Sequence, residues 1–293
     1  MEKKERIFVT GASSELMLRT VSRFDHSKYE IIGLTRNPNP SNVDGLRWVV
    51  GPIETPEIFA AEIANADIII HAAAITHTKN EKEYFRVNLE GTKNLIEAIP
   101  KGRRPLFVFI SSRVAGEDSG AYGVSKLRAE GEVQKLANWI IIRPSEVYGG
   151  SKSEGIEKTI QSAISGGVQL CPIGIQSKMF PIHISDASLA ISTAALNQHL
   201  RNKIVIVNGG KGYSFKELLL SIQTISGKRM TIIPIPKWFL KMVAFASSIL
   251  PVNIGFVPDQ VDRLYSTKEH SQSGSGVVRL EEYLKQEVEK RNG

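Results

Sequence analysis

The sequence predicts an α/β protein: a doubly wound parallel sheet built from the first half of the chain, with a smaller C-terminal region after it. Three observations carry this reading. The apolar stretches of the first half are continuous and do not alternate, as expected of strands covered on both faces. Helix-like segments separate most of them, which calls for crossover connections and parallel pairing. The first apolar run also ends in glycine and passes straight into a helical segment. Right-handed crossovers then put any ligand beyond the carboxyl ends of the strands.

The elements follow in order. Residues 7–11 (IFVTG) form the first strand, and a helix continues to about Phe24. Strands are expected at 29–36 (YEIIGLTR), 46–51 (LRWVVG) and 66–74 (ADIIIHAAA). A helix at 85–99 leads to a strand at 106–112 (LFVFISS), and a helix at 124–136 to a strand at 139–149 (WIIIRPSEVYG). The pattern loosens after Gly149, where Gly/Ser-rich turns bracket one helix. Residues 204–210 (IVIVNGG) read as a strand returning to the sheet. Residues 213–228 read as a helix with Ser214 as N-cap, Glu217 completing a capping box and Gly227 as its stop. Residues 237–250 (KWFLKMVAFASSIL) form the most apolar helix, read as a buried or lid helix, with a membrane-surface helix as the alternative supported by Lys237, Trp238 and Lys241. A polar, flexible stretch at 270–278 precedes an exposed terminal helix. The division this implies is 1–150 and 151–293.

Composition narrows the function. The 293 residues are 42% hydrophobic and 23% charged, an ordinary globular mixture. The net charge of +7 favours anionic ligands, but it is spread thinly, without a run of five basic residues or a zinc-finger pattern, so no nucleic-acid partner is expected. The N-terminus is charged and runs directly into a strand, unlike a secretory leader, so a cytoplasmic location is expected. No apolar stretch of helical pattern reaches the roughly 20 residues of an integral membrane segment. The single Cys171 excludes an intrachain disulfide and a multi-cysteine zinc site, and no metal is expected.

Two places carry chemistry. Gly11, at the end of the first strand, lets the backbone turn where a pyrophosphate could meet a helix N-terminus. The stronger feature is YGVSK, residues 122–126, ten residues after Ser111-Ser112 at a strand end. On a helix Lys126 lies one turn from Tyr122. A neighbouring ammonium stabilises a phenolate and lowers the tyrosine pKa, making Tyr122 a usable acid or base. A serine hydroxyl beside it can hold a substrate carbonyl or alcohol. Elsewhere, His71 reads as a packed histidine. His183 and Asp186 read as a turn with Asp186 as helix N-cap, with substrate contact by His183 as the alternative. Cys171 reads as a structural thiol. His26 and His77 stand at no metal-ligand spacing.

Taken together, VTGASS (9–14), DIIIHAAA (67–74), VNLEGTKNLIEA (87–98), FVFISS (107–112), YGVSK, IIRPSEVYG (141–149), FPIHISDASLAI (180–191) and VNGG (207–210) resemble the extended short-chain dehydrogenases/reductases of the NAD(P)-dependent epimerase/dehydratase family, over nearly the whole chain. The resemblance implies a Rossmann domain at 1–150 and a mainly substrate-binding region at 151–293. It implies Tyr122 as acid/base, Lys126 as its partner and ribose ligand, and Ser112 as the third catalytic residue. It implies cofactor contacts from Gly11, Ser13, Ser14, Arg36, Ala72, Ala73, Lys126 and Pro144, with Arg143 and Pro144 equally readable as anchors of their strand. The chain departs from the family's T-G-x-x-G-x-x-G loop at Ser14 and Met17, which should narrow the pyrophosphate approach and push the first helix off the sheet. Pro52 stands where an acidic residue usually faces adenine. Arg36, where an acid would select NAD, points to NADP, with NAD as the alternative. SSRVAGED lacks the Thr-Asp-Glu run of the family's dehydratases. The implied activity is therefore hydride transfer on a nucleotide-linked sugar, as reductase or epimerase, with a possible homodimer. The alternative is a dinucleotide-binding sensor or interaction module with little catalysis.

Overall fold

The computed structural model describes residues 3–40, 42–249, 258–269 and 276–292. Its elements in chain order are β1 (Glu5–Thr10), α1 (Glu15–Val21), β2 (Tyr29–Thr35), β3 (Leu46–Val50), α2 (Ala60–Asn65), β4 (Ile68–His71), α3 (Glu81–Tyr84) and α4 (Gly91–Glu97). These are followed by β5 (Leu106–Ile110), α5 (Gly120–Val133), β6 (Trp139–Pro144), β7 (Val147–Tyr148), α6 (Gly155–Ile164), β8 (Gly167–Pro172), β9 (Ile182–His183) and α7 (Ile184–Leu196). The chain continues with β10 (Lys203–Val207), α8 (Phe215–Ser226), β11 (Met230–Ile235), α9 (Lys237–Ile249), α10 (Pro258–Tyr265) and α11 (Leu280–Asn292). A π-helical turn, Phe85–Glu90, joins α3 to α4.

The chain divides into two units. The first comprises residues 1–117, 121–143 and 188–206, and the second residues 118–120, 144–187 and 207–293. The seven-stranded sheet has the order β10-β6-β5-β4-β1-β2-β3. β3, β2, β1, β4, β5 and β6 pair in parallel. This is the doubly wound order, in which the winding reverses between β1 and β4 and opens a crevice at the strands' carboxyl ends. The central strands β4 and β5 are buried along their whole length, whereas the edge strands β3 and β10 are only partly covered. Phe8, Ile32, Phe59, Ile69, Phe107, Phe109 and Ile141 belong to one core. Within it the Phe8 and Phe59 rings stack with centroids 5.5 Å apart.

In the second unit, α6, α8 and α11 contribute Ile156, Ile160, Leu218, Ile222, Leu280 and Leu284 to a separate core. The capping box of α8 forms, with both Ser214–Glu217 bonds, and Gly227 ends the helix at φ 64°. β7 pairs with β9, and β8 with β11, both in parallel.

The strand expected at 66–74 covers only 68–71, the helix expected at 85–99 opens on the π-helical turn, and three further expectations differ from what is observed. The first helix stops at Val21, because the Ser22 hydroxyl bonds the Leu18 carbonyl and the chain leaves in tight turns through Arg23 and Phe24. The strand expected at 139–149 is interrupted after Pro144, where the Ser145 hydroxyl bonds the Phe180 carbonyl and the Glu146 carboxylate accepts the Phe180 N–H. Asp186 is not an N-cap: it lies inside the first turn of α7, and its carboxylate accepts the Val278 N–H at 2.8 Å. Most of the polar stretch at 270–278 lies outside the described residues.

Candidate functional site

The crevice between β1 and β4 is built from backbone and small side chains. Gly11 follows β1 at φ 66°, a conformation L side chains rarely adopt. A Cβ there would stand 2.7 Å from the Ala73 nitrogen and 2.8 Å from the Ala72 carbonyl carbon. Gly11 therefore presses against the backbone of Ala72-Ala73, and position 11 must stay glycine for this approach. Thr10 ties them together: its carbonyl accepts the Ala72 N–H at 3.2 Å, and its hydroxyl accepts the Ala73 N–H at 3.2 Å.

His71, at the end of β4, is fully buried. Its Nδ1 lies 2.6 Å from the Thr10 hydroxyl and its Nε2 2.9 Å from the Thr92 hydroxyl. Thr92 donates its proton to the Asn88 carbonyl at 2.6 Å, so it accepts from His71 Nε2–H, and Nδ1 in turn accepts from Thr10. The ring is a neutral structural bridge. Burial, seconded by the Lys126 charge, pushes its pKa down to about 3.

The turn between β1 and α1 departs from a three-glycine loop. Ser13 and Ser14 are exposed. The Ser14 hydroxyl accepts the Met17 N–H at 3.4 Å and so serves as the N-cap of α1. Met17 is 1% exposed, its side chain taken into the core. Glu15 in the first turn is paired with Arg19 at 2.9 Å. Arg36 follows β2 directly and is exposed.

The opposite wall is α5. Its stripe of Tyr122, Lys126 and Glu130 repeats at four-residue spacing, and all three are buried. The Tyr122 ring meets the Tyr84 ring edge-on at 5.8 Å. The Lys126 ammonium is 1% exposed, donates to the Ile110 carbonyl at 2.7 Å and sits 4.2 Å from the Phe109 ring centre. Lys126 is thereby tied to the end of β5, two residues before Ser112. Burial pushes its pKa down to about 7, against the opposing pull of Glu130. Ser112 begins a turn in which its carbonyl accepts the Ala115 N–H at 3.0 Å. Asn88 binds both polar backbone groups of Ile75 and donates to the Ser125 hydroxyl at 3.1 Å, joining the segment after β4 to α5.

Glu130 is the residue the sequence reading missed. It is 2% exposed and forms a two-point pair with Arg143, at 2.9 Å from Nε and 2.6 Å from Nη2. It also accepts the Ser111 hydroxyl. Arg143 is thus an anchor between β6 and α5. Extending the Tyr122–Lys126 spacing by one more turn would have pointed to Glu130. Asn88 gave no comparable signal.

The remaining candidates lie in the second unit. Pro144 is buried at the end of β6. The His183 ring packs against Tyr148 and Tyr283 at 5.4 and 5.7 Å, and its Nδ1 accepts the Ser185 N–H at 3.3 Å. Cys171 is buried, and burial raises its thiol pKa.

The first unit fits a dinucleotide at two points: the Gly11 turn against Ala72-Ala73, and the Lys126 ammonium, whose one hydrogen bond among the described residues leaves two N–H groups. Chemically, an ammonium one helical turn from a tyrosine can stabilise a phenolate and help move a proton to or from a bound oxygen.

Comparison with known proteins agrees with this architecture. Residues 7–207 match the model of the NAD dependent epimerase/dehydratase family. A UDP-glucose 4-epimerase of Vibrio cholerae is 30% identical over 229 residues, covering 68% of this chain and 69% of that protein. The UDP-glucose 4-epimerase of Thermotoga maritima, solved with UDP-glucose, superposes with a TM-score of 0.73 at 17% identity, covering 98% of both chains. The Thermus thermophilus UDP-glucose 4-epimerase in complex with NAD gives a TM-score of 0.63 at 19% identity, covering 89% of this chain and 97% of that one. With this sheet order, these residues at its switch point and a family match across two-thirds of its length, the chain belongs to the NAD-dependent epimerase/dehydratase family, within the extended short-chain dehydrogenases/reductases.

Proposed function

We propose that this protein is a cytoplasmic NAD(P)-dependent oxidoreductase or epimerase acting on a nucleotide-linked sugar, with Tyr122 as acid/base. The observation that carries the reading is the buried Lys126 ammonium, one helical turn from Tyr122 and bonded to the end of β5 that leads into Ser112. A charge desolvated in this way costs free energy that folding alone has no need to spend. Tyr122 exchanges a proton with a sugar hydroxyl or ketone, and Lys126 holds the phenolate form. Ser112 donates to the same sugar oxygen and orients it. The two Lys126 N–H groups left over are suited to ribose hydroxyls. A bound nicotinamide would supply the hydride acceptor or donor. Gly11, Ser13, Ser14, Ala72 and Ala73 would line the dinucleotide. Arg36, directly after β2, is suited to a 2′-phosphate, which favours NADP over NAD.

The test is a panel of nucleotide-sugars and their 4-keto derivatives, followed at the nicotinamide absorbance and by chromatography of the products. The expected result is turnover of at least one, with Tyr122→Phe lowering it by about 10²–10⁴-fold and leaving dinucleotide binding intact. A wild type that binds dinucleotide but is as slow as Tyr122→Phe on every sugar supports the alternative, a dinucleotide-binding module.

A further inference from the structure

The second unit carries a set of exposed apolar side chains that the proposed reaction does not use. In the β8–β11 ribbon, Leu170 stands opposite Ile233 and Val168 opposite Thr231. Val168, Leu170 and Ile233 are 63%, 52% and 39% exposed. β11 passes through Pro236 into α9, where Trp238, Met242 and Phe245 are 67%, 53% and 63% exposed. Their spacing of four and three residues puts them on one helix face, while Ala244, on another, is buried. The charge pattern of the same region is one-sided. Between Glu217 and Asp259 the sequence contains no aspartate or glutamate, but it contains Lys228, Arg229, Lys237 and Lys241. Lys228 and Arg229 are exposed and enter no ion pair among the described residues. Lys237 and Lys241 share one carboxylate, Asp262, at 3.9 and 2.8 Å, so the helix start keeps a positive excess.

We propose that the exposed apolar stripe of α9, together with the exposed side chains of the β8–β11 ribbon that leads into it, docks on the surface of an anionic lipid bilayer, with α9 lying in the headgroup plane. An exposed Trp-Met-Phe stripe bounded by lysines is the composition of an interfacial helix, the ring of Trp238 bridging the apolar and wet layers. At 13 residues α9 is too short to span. A second copy is the poorer occupant, because pairing this face with itself opposes two cationic rims, whereas anionic headgroups neutralise them.

The whole protein is mixed with vesicles of phosphatidylcholine alone or with phosphatidylglycerol, and sedimented at low and raised salt. Sedimentation with the anionic vesicles only, weakened about tenfold or more by salt, is expected. Brominated lipid should quench the tryptophan fluorescence of the wild type. Trp238→Ser with Met242→Ser should lose about tenfold or more in partitioning, with an unchanged circular dichroism spectrum because both side chains are exposed. If that variant misfolds, Lys228→Glu with Arg229→Glu serves in its place, with the same expected loss. Absence of wild-type sedimentation, absence of quenching, or undiminished binding by a folded variant overturns the proposal. So does a wild-type dimer that Trp238→Ser with Met242→Ser converts to monomer, which assigns the face to a second copy.

Discussion

Two helices flank the crevice of the first unit, and they treat their polar groups in opposite ways. α5 carries a buried ladder in which Lys126 is bonded to Ile110, and Glu130 to Ser111 and Arg143. α1 is closed by its own serine cap and sends a methionine into the core where the family has glycines. One helix buries charge and holds it by long-range bonds to β5 and β6. The other satisfies itself locally. The difference teaches where precision is invested. Under the proposed function, proton transfer on α5 needs atoms fixed to fractions of an ångström, and buried charge-assisted bonds supply that. Phosphate contact tolerates variation, because backbone N–H groups and a diffuse positive end can adjust.

The comparison breaks most visibly at Glu130. Glu130→Ala removes a buried carboxylate that holds both Arg143 and Ser111, and the expected loss is about 3–5 kcal/mol in urea unfolding. Glu130→Met combined with Arg143→Met should cost less than the sum of the single changes, the signature of a coupled pair. Met17→Gly comes next. Emptying its site in the core and weakening α1 should cost about 2–5 kcal/mol. Ser14→Gly alone should cost only a few tenths of a kcal/mol, since glycine is tolerated at an N-cap. Equal losses at Ser14 and Met17 would show that the cap, and not the packed side chain, holds α1.

A pH titration sharpens the same contrast. His71 is held at about 3 in the folded chain, below its ordinary value near 6.5. Between those values the unfolded chain binds the extra proton, so stability falls as the pH drops through this window, by up to about 1.4 kcal/mol per pH unit. His71→Gln should flatten that segment of the stability profile, whatever its effect on absolute stability. The last effect is on nucleotide preference, at the local side of the crevice. Arg36→Asp should weaken NADP binding relative to NAD by about tenfold, read by calorimetry with both nucleotides. Equal affinities in the wild type would remove Arg36 from the cofactor site.

Much of this was legible before the coordinates. Continuous apolar runs such as 68–71 and 106–110 can be covered only from both faces, so the doubly wound sheet follows from them. The Tyr122–Lys126 spacing is local to one helix and equally readable. Glu130 was harder, because a glutamate on a helix reads as solvated until β6 delivers Arg143 to it. The β8–β11 ribbon was missed because Gly167 and exposed residues dilute its pattern, and its pairing spans long sequence separation. Asp186 was misassigned as a cap because its partner, Val278, lies 92 residues away.

The π-helical turn at Phe85–Glu90 has an evolutionary consequence. Such a turn holds one residue more than ordinary helical pitch requires. Deleting a single residue from it would yield an uninterrupted α-helix from Glu81 to Glu97 with better local geometry. It would also rotate everything on the N-terminal side by about 100° relative to α4. Tyr84 would swing away from Tyr122 while Asn88 still faced Ser125. The wider turn thus lets one continuous segment meet two residues of α5, Tyr122 through Tyr84 and Ser125 through Asn88. Alignment gaps among relatives should accordingly fall in the loops on either side of this helix and spare its interior.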